Sequence, residues 1–303
     1  MSDDATNPWS LYWQGGNIDS CIASASADDR ALVSAGWQEL SRSLPAGAAV
    51  LDLATGNGAV PRDLLTVNPS LAITGVDLAE IAPDKLLVSE PTLASVTFRG
   101  GVDICQLPFE DASFDVVTSQ FGLEYAPLAA AIDEASRILR PGGRLQLLLH
   151  HSGSAVVTPS AALVEEINRL FIKDGLLTTL NRFLAGDADL AALEQAGQAY
   201  LAAPEVRTRH ISGQILQGIN QVIVDLGQQP QRARLLAQTM QSRLSAERRR
   251  LLQLQAAALD DASALALEDQ LSALGYTDIQ RSRLQAPGDP PAVIGWQLSA
   301  TRK

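Results

Sequence analysis

The chain has 303 residues, which leaves room for one large domain or two modest ones at ~150 residues per domain. It is 46% hydrophobic and 19% charged, a composition that excludes wholesale disorder, and 34 acidic against 23 basic residues give a formal net charge of -11 that opposes binding to DNA or long RNA. The cysteines, Cys21 and Cys105, lie too far apart for a metal spacing or a disulfide framework, so a reducing compartment is expected.

Met1 to Ser10 is acidic and polar, without the basic and apolar regions of an export signal, and no apolar run approaches the roughly 18 residues that span a bilayer. A soluble, cytoplasmic protein without membrane insertion is expected. The first forty residues hold Trp9, Trp13 and Trp37 around a Gly15-Gly16 break and read as short helices over the sheet edge, within an N-terminal helical cap at 1–47.

From Ala48 to His151, strand-like apolar runs alternate with helix-like stretches, the pattern of βαβ units. Strands are predicted at Ala49 to Ala54, Leu71 to Asp77, Val96 to Asp103 and Phe114 to Ser119. A helix at Leu128 to Leu139 is stopped by Pro141-Gly142-Gly143, and a fifth strand follows at Arg144 to His150. This core is bounded at 48–159.

After Pro159 the apolar spacing becomes helical, as in Leu163, Ile167, Leu170 and Phe171, or Ile211, Ile215, Ile219, Val222 and Ile223, so 160–259 reads as an all-helical insertion. It is expected to cap the substrate or to join two chains as a homodimer. Within it, Arg232, Arg234, Arg243, Arg248, Arg249 and Arg250 face only Glu247, a basic island read either as a solvated face or as a holder for an acidic partner. The final segment, 260–303, holds strands at Thr277 to Leu284 and Ala292 to Ala300 around a Pro- and Gly-rich hairpin turn.

The chemistry concentrates at the strand ends. Val50-Leu-Asp-Leu-Ala-Thr-Gly-Asn-Gly58 places an acid in the first strand and two glycines at the strand-to-helix turn, where close backbone approach to a ligand is possible. A dinucleotide fingerprint needs G-x-G-x-x-G, yet Pro61 stands at the third position, and Asp52 repels a pyrophosphate while suiting a cationic or amine-bearing ligand. This segment resembles the first motif of class I S-adenosylmethionine-dependent methyltransferases, V-L-D-x-G-x-G-x-G, with Ala54 at the first glycine.

Further stations of that family follow in order. Asp77-Leu78 ends the second strand, where the resemblance implies a carboxylate holding the ribose hydroxyls. Asp103-Ile104 matches the pair that meets the adenine. Leu107-Pro-Phe-Glu-Asp-Ala-Ser-Phe-Asp-Val-Val117 is similar to the L-P-F-x-D-x-S-F-D-x-V run of quinone-type and other small-molecule methyltransferases, and Arg137-Ile-Leu-Arg-Pro-Gly-Gly143 to their R-x-L-x-P-G-G turn. The resemblance implies an α/β fold: a Rossmann-like seven-stranded, mostly parallel sheet with an antiparallel final hairpin. To it are added the inserted all-helical cap and the N-terminal helices.

It also implies S-adenosylmethionine as cofactor, held by Asp52, Ala54, Thr55, Gly56, Gly58, Asp77, Leu78, Asp103, Ile104 and Gln120, with no metal. The residues after the fourth and fifth strands should face a small-molecule acceptor. They carry no Asn/Asp-Pro-Pro-Tyr motif, which disfavours amide or base methylation. Four of them are candidate catalytic groups: His150 or His151 as a base, only one of which can enter the pocket because adjacent strand residues face opposite ways, and Glu124 and Tyr125. A non-catalytic S-adenosylmethionine-binding protein and an NAD(P)-dependent oxidoreductase are the competing readings.

Overall fold

The computed structural model describes residues 7–20, 26–206 and 210–303; Cys21 and the first six residues of the chain lie outside them. In chain order the elements are α1 (Pro8–Gln14), α2 (Ala27–Ser43), β1 (Ala49–Leu53), α3 (Ala59–Val67), β2 (Ala72–Val76), β3 (Thr97–Arg99), β4 (Phe114–Gln120), α4 (Leu128–Ile138) and β5 (Leu139–Leu149). There follow α5 (Ser160–Leu170), α6 (Leu176–Ala185), α7 (Leu190–Ala202), α8 (His210–Gln228), α9 (Pro230–Ala257), α10 (Asp261–Ala273), β6 (Tyr276–Ala286) and β7 (Ala292–Arg302). They divide into two compact units, residues up to 158 with 256–303, and residues 159–255.

In the first unit seven strands form one sheet in the order β3-β2-β1-β4-β5-β7-β6. The first five strands are parallel, and β7 lies antiparallel to both β5 and β6. The Rossmann-like sheet and its final hairpin are therefore as the sequence implies. Strand alternation sends Leu51, Leu53, Val117, Leu145 and Leu147 to one face, where Ile132 and Ile138 of α4 and Leu267 and Leu271 of α10 cover them. Val50, Ile73, Val116 and Leu148 face the other way, onto Val33, Trp37 and Leu40 of α2 and Val60 and Leu64 of α3.

Three expectations are revised. The third strand is three residues long rather than eight, because Gly100 and Gly101 turn the chain out of the sheet, Gly101 at φ 71°. Val102 is then held by its backbone N–H donating to Asp77 O at 2.9 Å. The fifth strand begins at Leu139, with Pro141-Gly142-Gly143 as an irregularity inside it where its register against β4 shifts. And α2 packs on a face of the sheet, not over its edge; Ser26 and Asp29 close a capping box at its start.

The second unit packs α5 to α8 and most of α9 around its own core of Ile167, Leu170, Leu177, Leu180, Val222 and Leu244. The basic island is partly neutralised within this unit: Arg232 pairs with Asp225 at 3.1 Å, Arg250 with Glu247 at 2.7 Å, and Arg248 donates to Asn168.

Between β1 and α3 the backbone is left-handed at Ala54, Gly56 and Gly58, with φ of 53°, 54° and 99°. For alanine that conformation is uphill by roughly 1–2 kcal/mol. The methyl is accommodated because residue 122 is glycine, where an added Cβ would lie 2.4 Å from Ala54 Cβ. Gly122→Ala is therefore expected to destabilise the fold by about 1–3 kcal/mol, the range for overpacking a tight site. Ala54→Gly in the same chain should recover most of that loss; additive effects in a double-mutant cycle followed by urea denaturation would show that the two residues do not share the space.

Candidate functional site

A cavity of about 150 Å³ opens at the carboxyl ends of the parallel strands. Asp52 and Ala54 reach it from the end of β1, Thr55 from the loop beyond, Asp77 and Leu78 from the end of β2, and Asp103 and Ile104 from the loop after β3. Gln120 at the end of β4, then Phe121, Gly122 and Tyr125, close another side. The open end of a parallel sheet concentrates ligand contacts in this way because every crossover begins there.

The three acids are held differently. Asp77 is buried, with Oδ2 accepting from Gly56 N and Oδ1 from Ala79 N, both at 2.8 Å. Burial pushes its pKa up to about 6, against those two bonds, which lower it. Asp52, also buried, accepts from Thr118 Oγ1 at 2.8 Å, and burial pushes it up to about 7. Asp103 is exposed, its Oδ1 accepting from Cys105 N at 2.8 Å. The described lining contains no Lys, Arg or His. Such a site favours cations and hydroxyl or amino donors, and it opposes phosphates.

The two glycines of the loop do not line the cavity. A Cβ on Gly56 would lie 2.5 Å from the Trp13 ring, and one on Gly58 would lie 2.8 Å from Phe98, so each admits a neighbouring side chain. Asn57 between them is fully buried and bonds to α1 and the turn after it, through Trp13 O at 3.0 Å and Asn17 O at 2.7 Å. Trp37 is buried in the core under α2, and its indole donates to Gln120 Oε1 at 2.6 Å.

The four candidate catalytic residues separate. His150 and His151 face opposite ways, and neither lines the cavity. His151 turns to Trp296, at 4.8 Å between ring centroids, with Nδ1 accepting from Gly153 N at 2.9 Å; burial lowers its pKa. His150 is fully buried behind the cavity wall, its ring 4.5 Å from Phe121 and 5.7 Å from Tyr125. Glu124 Oε1 accepts from His150 N at 2.7 Å and lies 2.6 Å from His150 Nδ1, which fixes the orientation of the ring. Glu124 Oε2 is buried without a hydrogen-bond partner among the described residues.

Trp9, Trp13, Ile18 and Ser20 also line the cavity, and Trp9 meets Tyr125 edge to face at 5.4 Å. Sequence reasoning places Trp9 and Trp13 in short N-terminal helices without bringing either to the ligand, and it passes over Asn57. An Asn between two glycines reads as a turn residue, and nothing in the pattern says that its side chain reaches back across the chain.

A family model described as a methyltransferase domain matches residues 51–147. A demethylmenaquinone methyltransferase of Deinococcus radiodurans is 32% identical over 161 residues, which is 52% of this chain and 61% of that protein. A 27-O-demethylrifamycin SV methyltransferase of Amycolatopsis mediterranei is 35% identical over 127 residues, 40% of this chain and 44% of that one. The chain thus spans less than two thirds of the length of these curated relatives. A solved CurJ carbon methyltransferase shares the fold, with a TM-score of 0.51 over 97% of this chain and 60% of that one, at 14% identity.

Two outcomes test the electrostatics. Asp52 has a raised folded-state pKa, so the folded chain holds its proton longer than the unfolded chain, and stability is lost as pH rises from about 4 to about 7. Asp52→Asn abolishes that loss, so its stability relative to the parent in urea denaturation should rise between pH 5 and pH 8; a constant difference contradicts the assignment. Asp77→Ala should weaken the binding of a ribose-bearing ligand by about 1.5–3 kcal/mol in calorimetry, as for the loss of charge-assisted bonds, with Asp77→Asn milder because one acceptor survives, and unchanged affinity removes Asp77 from the ligand.

Proposed function

We propose that this chain, whose residues 51–147 make up a class I methyltransferase core, is an S-adenosylmethionine-dependent methyltransferase acting on an O, C or N atom of a small molecule. One observation carries the reading: buried or pocket-facing carboxylates at the ends of three consecutive strands, with no cationic side chain in the described lining. That donor set fits a ligand with a ribose diol, an adenine amino group and a positive charge, and it fits a pyrophosphate poorly.

When bound, the cofactor supplies an electrophilic methyl group on a sulfonium. Asp77, whose two oxygens each keep a lone pair beyond their backbone bonds, accepts from the ribose hydroxyls. Asp103 accepts from the adenine amino group, and the buried Ile104 covers the ring. Ala54, Thr55, Leu78 and Gln120 shape the remaining walls, and Asp52 beneath them balances positive charge.

On the acceptor side, an acidic nucleophile must lose its proton as the new bond forms. His150, bonded to Glu124 and packed behind Phe121 and Tyr125, does not reach the cavity and serves as a positioning residue for that wall. Tyr125 stands between His150 and the cavity as the wall against which the acceptor is positioned. His151, turned toward Trp296, has no part in the transfer. The relatives named for demethylmenaquinone and demethylrifamycin SV support a small organic acceptor.

Among the described residues no helix is long and apolar enough to cross a membrane, and a cytoplasmic setting without a nucleic-acid partner completes the reading. Exposed Leu190, Val224 and Leu235 on α7 to α9 support a homodimer through the helical unit.

Formation of S-adenosylhomocysteine with a panel of acceptors that includes demethylmenaquinone tests the function. Turnover is expected with at least one of them; binding without turnover across the panel favours the non-catalytic alternative. His150→Ala should lower kcat by about 10–10², the scale of a misplaced acceptor wall, while S-adenosylhomocysteine affinity stays within about threefold. An unchanged kcat removes His150 from the chemistry.

A further inference from the structure

The helical unit carries a cavity of its own, about 610 Å³ in volume, between α5 and the turn that follows α7. Its described lining lies wholly within residues 159–255 and shares no residue with the cavity at the strand ends. Helical spacing builds one wall: Glu165, Asn168 and Arg169 stand at i, i+3 and i+4 on α5, and Ile172 follows just beyond its end. Pro204 and Glu205 of the turn make the other.

The charged groups of this cavity are not paired with one another. Glu165 and Arg169 have the acid-before-base spacing that ordinarily pairs across one helical turn, yet no ion pair joins them among the described residues, and none joins Arg169 to Glu205. Arg169 Nε and Glu205 Oε2 are each buried without a hydrogen-bond partner among the described residues. A buried polar atom in that state costs free energy that a partner recovers, and native folds leave few of them. Two such atoms of opposite charge line a single cavity here.

Asn168 adds a neutral donor. Its Oδ1 accepts from Arg248 Nε of α9, so its amide nitrogen carries the two N–H groups that it has to offer. The same contact ties Arg248 of the basic island to α5.

We propose that this cavity is a binding site for a zwitterion, an α-amino acid with an apolar side chain. Arg169 and the Asn168 amide take its carboxylate, Glu205 with Glu165 takes its ammonium, and Ala162, Ile172 and Pro204 meet its side chain. The balance of charge selects among ligand classes. One guanidinium against two carboxylates opposes a phosphate or another dianion. A simple amine leaves the buried Arg169 Nε–H without an acceptor, and a simple carboxylate leaves Glu205 Oε2 without a donor. A ligand that carries both charges satisfies the two atoms together, through charge-assisted hydrogen bonds. The site belongs to the helical unit alone and does not depend on the methyltransferase reading.

Saturation-transfer NMR titration of the full chain with L-leucine near neutral pH tests the proposal. Beside it run isocaproate, which is leucine without its amine, and isoamylamine, which is leucine without its carboxylate. L-Leucine should bind saturably and each half-ligand at least about tenfold more weakly, since each lacks one charge-assisted contact. Arg169→Gln and Glu205→Gln should each weaken L-leucine binding by about tenfold or more. The ligand-free melting temperatures of both variants should not fall below that of the parent, because neither orphaned atom has a bond to lose.

Absence of saturable L-leucine binding overturns the site. So does a half-ligand that binds as tightly as L-leucine, which makes the cavity a simple anion or cation site. Parent-like L-leucine affinity in either variant overturns it as well, since the amino acid then sits elsewhere on the chain. Should a variant fail to fold, the comparison of L-leucine with its two half-ligands on the parent chain decides alone. Each of these results leaves the methyltransferase reading as it stood.

Discussion

The architecture of the cavity hangs on one carboxylate. Asp77 ends β2, and its two oxygens fix the backbone N–H groups of Gly56 and Ala79, while its own carbonyl receives Val102 N. Three loops that leave three different strands are thereby tied to one residue. A buried acid without a cationic partner is unfavourable in isolation, and the two backbone donors are what make it tolerable. Burial still pushes the pKa of Asp77 up against those two bonds, and each oxygen keeps a lone pair that a ligand's hydroxyl group can use.

Around that clamp the backbone is strained where it lines the cavity. Ala54 and Phe121 are both left-handed, at φ 53° and 52°, and they line the cavity side by side with Gly122. Strain of this kind persists only where the surroundings over-determine it. Here the sheet register on one side and the Gly122 backbone on the other do so. The turn at Phe121 carries its ring onto His150, which places the Glu124–His150 pair directly behind the aromatic wall. Strand alternation sends His151 to the opposite face, against Trp296, so the two histidines lie in different environments.

Much of the sheet was legible because its signals are local. Apolar runs bounded by turn residues locate β1, β2, β4 and the final hairpin to within a few residues, and the acids at their ends are visible as breaks in those runs. The short β3 was not legible, since Val102 and Ile104 continue an apolar alternation after Gly101 has already turned the chain. The positive φ of Gly56 and Gly58 follows from their place in a strand-to-helix turn. What they make room for does not: Trp13 and Phe98 arrive from segments distant in sequence. The same holds for Asn57 and Trp9, whose roles exist only once α1 is folded back over the strand ends. Apolar spacing reveals the helices of 160–259, while nothing in that spacing tells a ligand cap from an arm that joins two chains.

A cavity whose described lining holds carboxylates and no cationic side chain should select a sulfonium-bearing nucleoside over a dinucleotide. Isothermal titration of the full chain at pH 8 with S-adenosylmethionine, and separately with NAD, tests it most directly. Saturable one-to-one binding of S-adenosylmethionine is expected, with no heat of binding from NAD at concentrations about a hundredfold higher. Saturable binding of NAD, with none of S-adenosylmethionine, would contradict it.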